Sequence, residues 1–266
     1  MRILLLAVSL VASLLLAGCY QDEEIITRDI VETIPWPDHE EADYAVYDRD
    51  DKDLEELLQH GTLIVDRTGD QYEFQINFEG AAGAEVQGTD ETSVLVDAMT
   101  LKPDFVRRER HLDDEDTVVE GTYDHETDVL VIKFTEGGEE RTLPIRLDRE
   151  NYYDNDESLF IWRTIPFAEN YKANYDTVLP NVRSIQGVTI EVTAREEITV
   201  PGGTFDTWRL EIGGEKGLHQ AAWFATSPDH RLVKYDNSQQ LVVLTAYRGD
   251  SETAPTATTT PLAPNP

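Results

Sequence analysis

The chain has 266 residues and a formal net charge of -31, with 53 acidic against 22 basic side chains and a single cysteine. A field of that sign repels phosphate backbones and anionic lipid head groups, which excludes nucleic acid as a partner and direct electrostatic docking on a membrane. With one cysteine there is no internal disulfide to staple the fold, so a hydrophobic core must hold it.

Residues 1–18 read as an export signal. A basic start ("MR") precedes the uncharged run "ILLLAVSLVASLLL", and two small residues follow before Cys19. The run falls short of the roughly 20 apolar residues that a membrane-spanning helix needs. Leu16-Ala17-Gly18-Cys19 resembles a bacterial lipobox, in which cleavage before the cysteine leaves its thiol to carry diacylglycerol. Cys19 is therefore the expected lipidation site. Each buried methylene contributes about 0.8 kcal/mol, so two or three palmitate-type chains anchor stably. The membrane becomes a partner through that anchor, and the expected place is outside the cytoplasm, in the periplasm, on the outer membrane or on the cell surface.

Residues 19–60 read as an acidic tether. Fifteen Asp/Glu face three Lys/Arg between Gln21 and His60, and "IPWP" interrupts any regular element. A short helix is expected at its end, with Asp53 capping "LEELLQ" and Gly61 closing it.

From 61 to 248 the chain alternates as strands do. "GTLIVDR" and "QYEFQINFEG" flank a Thr68-Gly69-Asp70 turn, with Tyr72, Phe74, Ile76 and Phe78 on one face. "TSVLVDAMTLKP", "DFVRRER", "TVVEGTYD", "DVLVIKFTEGGEERTLPIRL" and the later runs continue the pattern at intervals typical of an antiparallel sandwich or barrel. Within them "DNDESLFIWRTIPF" carries Asp/Asn caps and an apolar run, and predicts one helical turn packed over the sheet. Pro201-Gly202-Gly203 predicts a tight turn before Thr204, Phe205 and Trp208, and Gly213-Gly214 a further connection. Gly-Thr recurs at 61, 121 and 203 without amounting to a repeat. The Thr/Pro-rich residues 249–266 have no apolar periodicity and are expected to be disordered.

Three stretches carry a resemblance: "YYDNDESLFIWRTIPF", "EEITVPGGTFDTWRLEI" and "WFATSPDHRLVKYD". They are similar to a bacterial family of unknown function, domain of unknown function 3108, with its TapB-like members. The matching positions are Asp154, Asn155, Leu159, Arg163 and Pro166, then Val200, Pro201, Gly203, Thr204 and Phe205, then Trp223, Leu232, Val233 and Lys234. "VLVDAMTLKPDFVRRER" looks like a further family strand. The resemblance implies a mainly β fold, a curved antiparallel sheet forming a half-barrel or barrel-like meander with one or two short helices. It implies no activity.

Motifs for catalysis are missing: there is no G-x-S-x-G elbow, P-loop or G-x-G-x-x-G fingerprint, and the six histidines lack the spacing of a zinc helix. An enzyme, a cofactor and a metal are not expected. The acidic run from Asp48 lacks the glycine and terminal glutamate of a calcium loop, and "DNDE" at 154–157 reads as a helix cap before it reads as a cation site. Trp162, Trp208, Trp223, Tyr235 and Tyr247 either fill the core or line an apolar cavity, with core filling favoured. The expected role is binding or cell-envelope assembly, with an apolar ligand or an envelope protein as partner. Two alternatives stand beside it: a carrier of a lipid or acyl chain, which needs a continuous cavity, and an extracytoplasmic enzyme, which needs converging titratable groups.

Overall fold

A computed structural model describes residues 30–51, 53–84, 87–112, 115–214, 217 and 219–249. The expected signal, Cys19 and the Thr/Pro-rich tail lie outside the described residues, apart from Gly249.

Fifteen strands form one sheet, and nearly every strand pairs with its sequence neighbours. The first wing is a meander of β1 (His39–Asp48), β2 (Leu57–Thr68), β3 (Gln71–Gly80), β4 (Gly88–Asp97), β5 (Pro103–Leu112), β6 (Glu115–Asp124), β7 (Val129–Glu136) and β8 (Glu139–Arg146). The second contains β9 (Tyr152–Asp154), β10 (Lys172–Leu179), β11 (Ser184–Val200), β12 (Gly203–Gly214), β13 (His219–Ala225), β14 (Leu232–Asp236) and β15 (Gln240–Gly249). The antiparallel pairing of β1 with β15 fuses the wings, and β9 alone pairs in parallel, with β10. The sheet therefore has two ends, β8 and β9. β9 is only three residues long, while β8 carries Glu139, Glu140, Arg141, Arg146 and Pro144, which blunt a free edge.

The mainly β, barrel-like expectation holds, and so does the helical turn. Asp154 and Asn155 lead into α1 (Ser158–Ile161), flanked on each side by a 3₁₀ turn. This short plug lies inside the curled sheet. Phe160 stacks on Phe74 with ring centroids 4.4 Å apart, and Trp36 meets Tyr72 and Phe74 edge-on. Phe74, Phe160, Tyr153, Phe224, Leu101 and Leu210 are fully buried. Each such side chain contributes about 1.5–3 kcal/mol, the force that serves in place of disulfides.

The structure differs from three of the local expectations. The second half of the expected tether belongs to the sheet: residues 39–48 are β1, between β2 and β15, and Ile30 and Trp36 are buried core. Its acid misled because Glu41 and Asp43 face outward while Ala42, Tyr44 and Val46 face in. The expected helix over 54–59 is absent as well. Leu54 takes a left-handed φ of 54°, Asp51 Oδ2 accepts from Glu55 N and Glu56 N, and Leu57 already pairs with Tyr47. A β1–β2 connection outcompetes an isolated helical turn because each added ladder residue gains tertiary packing. Gly213 and Gly214 likewise remain within β12, opposite Thr189 and Val188.

The recurrent glycines have local explanations. A Cβ on Gly61 would sit 2.6 Å from Phe78 Cε1, and one on Gly121 2.8 Å from Val106 Cγ1, so both let a neighbouring side chain cross the strand. Gly203 has a φ of 135°, as the turn after Val200 requires.

Candidate ligand-binding cavity

The plug divides the interior into a filled end and an open one. Its start is specified by a reciprocal cap: Asp154 Oδ1 accepts from Asp156 N at 2.9 Å, and Glu157 Oε1 accepts from Asp154 N at 2.6 Å. Pro166 ends it, holding Ile165 extended at ψ 154°. Trp162 Nε1 donates to Tyr175 Oη at 2.9 Å, fixing the indole against β10.

At the filled end a buried ion pair locks the plug to β1. Arg163 donates to both carboxylate oxygens of Glu40, and to the carbonyls of Asp229 and His230 at 2.7 and 3.1 Å. Tyr247 Oη donates to Glu40 Oε2 at 2.8 Å. Both charges are almost wholly withdrawn from solvent, so the pair depends on these extra hydrogen bonds to offset desolvation.

The other half of the interior holds a cavity of about 440 Å³. That lies within the roughly 300–1,000 Å³ usual for ligand pockets. Phe78, Ile76, Leu159, Trp162, Val188 and Val242 supply apolar wall from both wings and the plug. Half-buried carboxamides occupy much of the rest: Gln59, Gln186, Gln220, Asn237 and Gln240 come from β2, β11, β13, the β14–β15 turn and β15. Asp90, Arg108 and Asp156 are its charged lining. Arg108 binds both oxygens of Asp90, at 2.8 and 2.7 Å, and lies 3.5 Å from Asp156 Oδ1.

Behind this wall lies a seam where the plug meets the first wing. Tyr123 Oη donates to Asp154 Oδ2, and Lys102 Nζ donates to the carbonyls of Glu150 and Tyr152 at 3.2 and 3.0 Å. Burial, reinforced by Asp156, pushes the Asp154 carboxyl up to about 8. Burial followed by the Asp154 charge holds Glu157 well above the usual carboxylate range. Both are buried structural acids at the start of the plug, with Tyr123 of β6 packed against Asp154.

A family model described as "Protein of unknown function (DUF3108)" matches residues 43–248. The chain belongs to the DUF3108 family. None of the curated proteins matches this DUF3108 member. Among solved structures it is similar to a beta-barrel-like protein of the domain of unknown function DUF1849 from Brucella abortus, at a TM-score of 0.52 and 11% identity over 82% of this chain and 99% of that one. This likeness supports the barrel-like fold and nothing further. Weaker similarities are to a candidate exported protein with a YmcC-like fold from Bacteroides fragilis (TM-score 0.34, 11% identity, 82% and 99% covered) and a candidate lipoprotein from Parabacteroides distasonis (0.31, 14%, 83% and 100%).

The DUF3108 motif residues are mainly architectural. Asp154 caps the plug, Arg163 locks it, and Leu232 lends its carbonyl to Tyr44 Oη at 3.0 Å. Asn155 and Leu159 also face the cavity. Of the five aromatics singled out from sequence, Trp162 and Tyr235 line the cavity. Trp208 instead lies under Arg195, Trp223 between Arg209 and Lys234, and Tyr247 under Arg231. Of the "DNDE" acids Asp154 and Glu157 form the cap while Asp156 faces the cavity beside Arg108, and no group of three or more metal-ligating side chains occurs among the described residues. Sequence reasoning missed Asp90, Arg108, Tyr123 and the carboxamides, which come together only when the sheet curls.

Proposed function

We propose that this DUF3108 member is a lipid-anchored, extracytoplasmic binding protein that carries the apolar part of a small amphipathic ligand inside its half-barrel. The observation that supports the reading best is the roughly 440 Å³ cavity walled by Phe78, Leu159 and Trp162 together with half-buried carboxamides. A sheet serving only as an assembly surface has no need of an unfilled interior. Binding is favoured over catalysis because the charged wall groups Asp90, Arg108 and Asp156 are engaged with one another. The lipobox at Cys19 supports the anchor and the location. Register pairs Glu40 with Gly249 at the filled end, and Glu32 N and Thr33 N bond there to Thr164 O, so the described chain enters and leaves opposite the cavity.

Native mass spectrometry on residues 20–266, which retain every described element, tests the carrier. A copurifying or added single-chain amphiphile bound one to one is expected; no uptake of any amphiphile would sink the reading. Cys19→Ser tests the anchor separately, with release from the membrane or blocked processing expected. A variant that stays membrane-bound and normally processed would contradict it.

A further inference from the structure

The wall of the cavity specifies a head group as well as a tail. Its charged side chains number two carboxylates, Asp90 and Asp156, and one guanidinium, Arg108. Arg108 gives Nε and Nη2 to Asp90 and turns Nη1 toward Asp156, so no free cation awaits an anionic ligand. An amine would have to displace Arg108 from carboxylates that already hold it bidentately. Charge of either sign is therefore disfavoured.

Uncharged hydrogen-bonding capacity is plentiful. The amide groups of Gln59, Gln220 and Gln240 make no side-chain hydrogen bond among the described residues, although each lines the cavity. Thr177 lies opposite Gln186 in the β10–β11 ladder, on the cavity face between Tyr175 and Leu179. It is 5% exposed, and its Oγ1 has no hydrogen-bond partner among the described residues. A buried hydroxyl of this kind is costly to leave unpaired. Each carboxamide offers two donors and an acceptor in a plane, the complement of adjacent hydroxyls on a sugar or glycerol.

We infer that the cavity takes an uncharged, polyhydroxylated single-chain amphiphile, a sugar- or glycerol-headed lipid, with its hydroxyls on the lining carboxamides and Thr177 and its chain against Phe78, Leu159 and Trp162. The inference rests on the binding reading above and narrows it. The size of the cavity suits one chain. The wall chemistry rejects fatty-acid carboxylates and phosphate head groups, which need a free Arg or Lys.

Titration calorimetry with three probes of equal tail length, all below their micelle concentrations, tests it: octyl glucoside, octanoate and octylammonium. The glucoside should bind at least about tenfold more tightly than either charged probe. Thr177→Val and the Gln59→Leu/Gln220→Leu pair should each weaken glucoside binding at least about fivefold and narrow that preference, with circular dichroism and unfolding midpoints reporting an intact fold. Equal or tighter binding of octanoate or octylammonium overturns the head-group assignment and leaves the cavity reading standing. Binding of none of the three overturns both. Unchanged glucoside affinity in both sets of folded variants overturns the assignment of the hydroxyl contacts.

Discussion

The two ends of this curled sheet are built from the same strands yet follow opposite rules. β3 contributes Tyr72 and Phe74 to the filled end and Ile76 and Phe78 to the cavity, four residues of one alternating face. At the filled end aromatics stack within 4.4–6.2 Å of one another and a buried Arg163–Glu40 pair locks the plug. At the other end carboxamides of other strands join the apolar inward residues, and space is left. A packed, ion-paired end of this kind can hold a binding surface in place at the other.

Cutting the lock should damage the filled end most severely. Arg163→Met strands Glu40 as a buried charge and should cost about 3–5 kcal/mol in urea unfolding, whereas adding Glu40→Gln should recover much of the loss. A merely peripheral pair would show neither the large loss nor the rescue. A smaller effect is expected where the two halves meet β2. Gly61→Ala presses a methyl onto Phe78 and should cost about 1–3 kcal/mol while reducing amphiphile uptake, because Phe78 must shift within the cavity wall. Unchanged stability and uptake would show that the ring yields freely.

The gentlest test concerns pH at the seam. Asp154 is raised from 3.8 to about 8 on folding, so the native state binds the extra proton and gains stability that is fully present below 3.8 and lost as pH rises through about 8. Stability of the wild type should therefore decline between these limits, and Asp154→Asn, which keeps a neutral group beside Tyr123, should flatten the decline. Parallel profiles would mean that Asp154 is ionised throughout.

Local signals made much of this readable. Alternation at Tyr72–Phe78 gave β3, and the Asp/Asn caps at 154–155 announced the plug, because caps and period-two faces are properties of a few adjacent residues. β1 escaped because Glu40, Glu41 and Asp43 look like stalk, and Glu40 is rational only beside Arg163, 123 residues away. The cavity escaped for the same reason. Its carboxamides sit on separate strands, and a lone glutamine at the end of a strand is indistinguishable from surface. Only the closure of β1 onto β15, which brings Gln240 and Val242 alongside Asp48 and Val46, gathers them.

If the unfilled half of the barrel is the binding site, filling it should abolish uptake. Val242 lines the cavity and is buried on β15, so Val242→Trp should occupy the space while the filled end preserves the fold. In native mass spectrometry of the two proteins side by side, wild type should take up one single-chain amphiphile and the folded Val242→Trp variant none. Equal uptake by both would contradict the account.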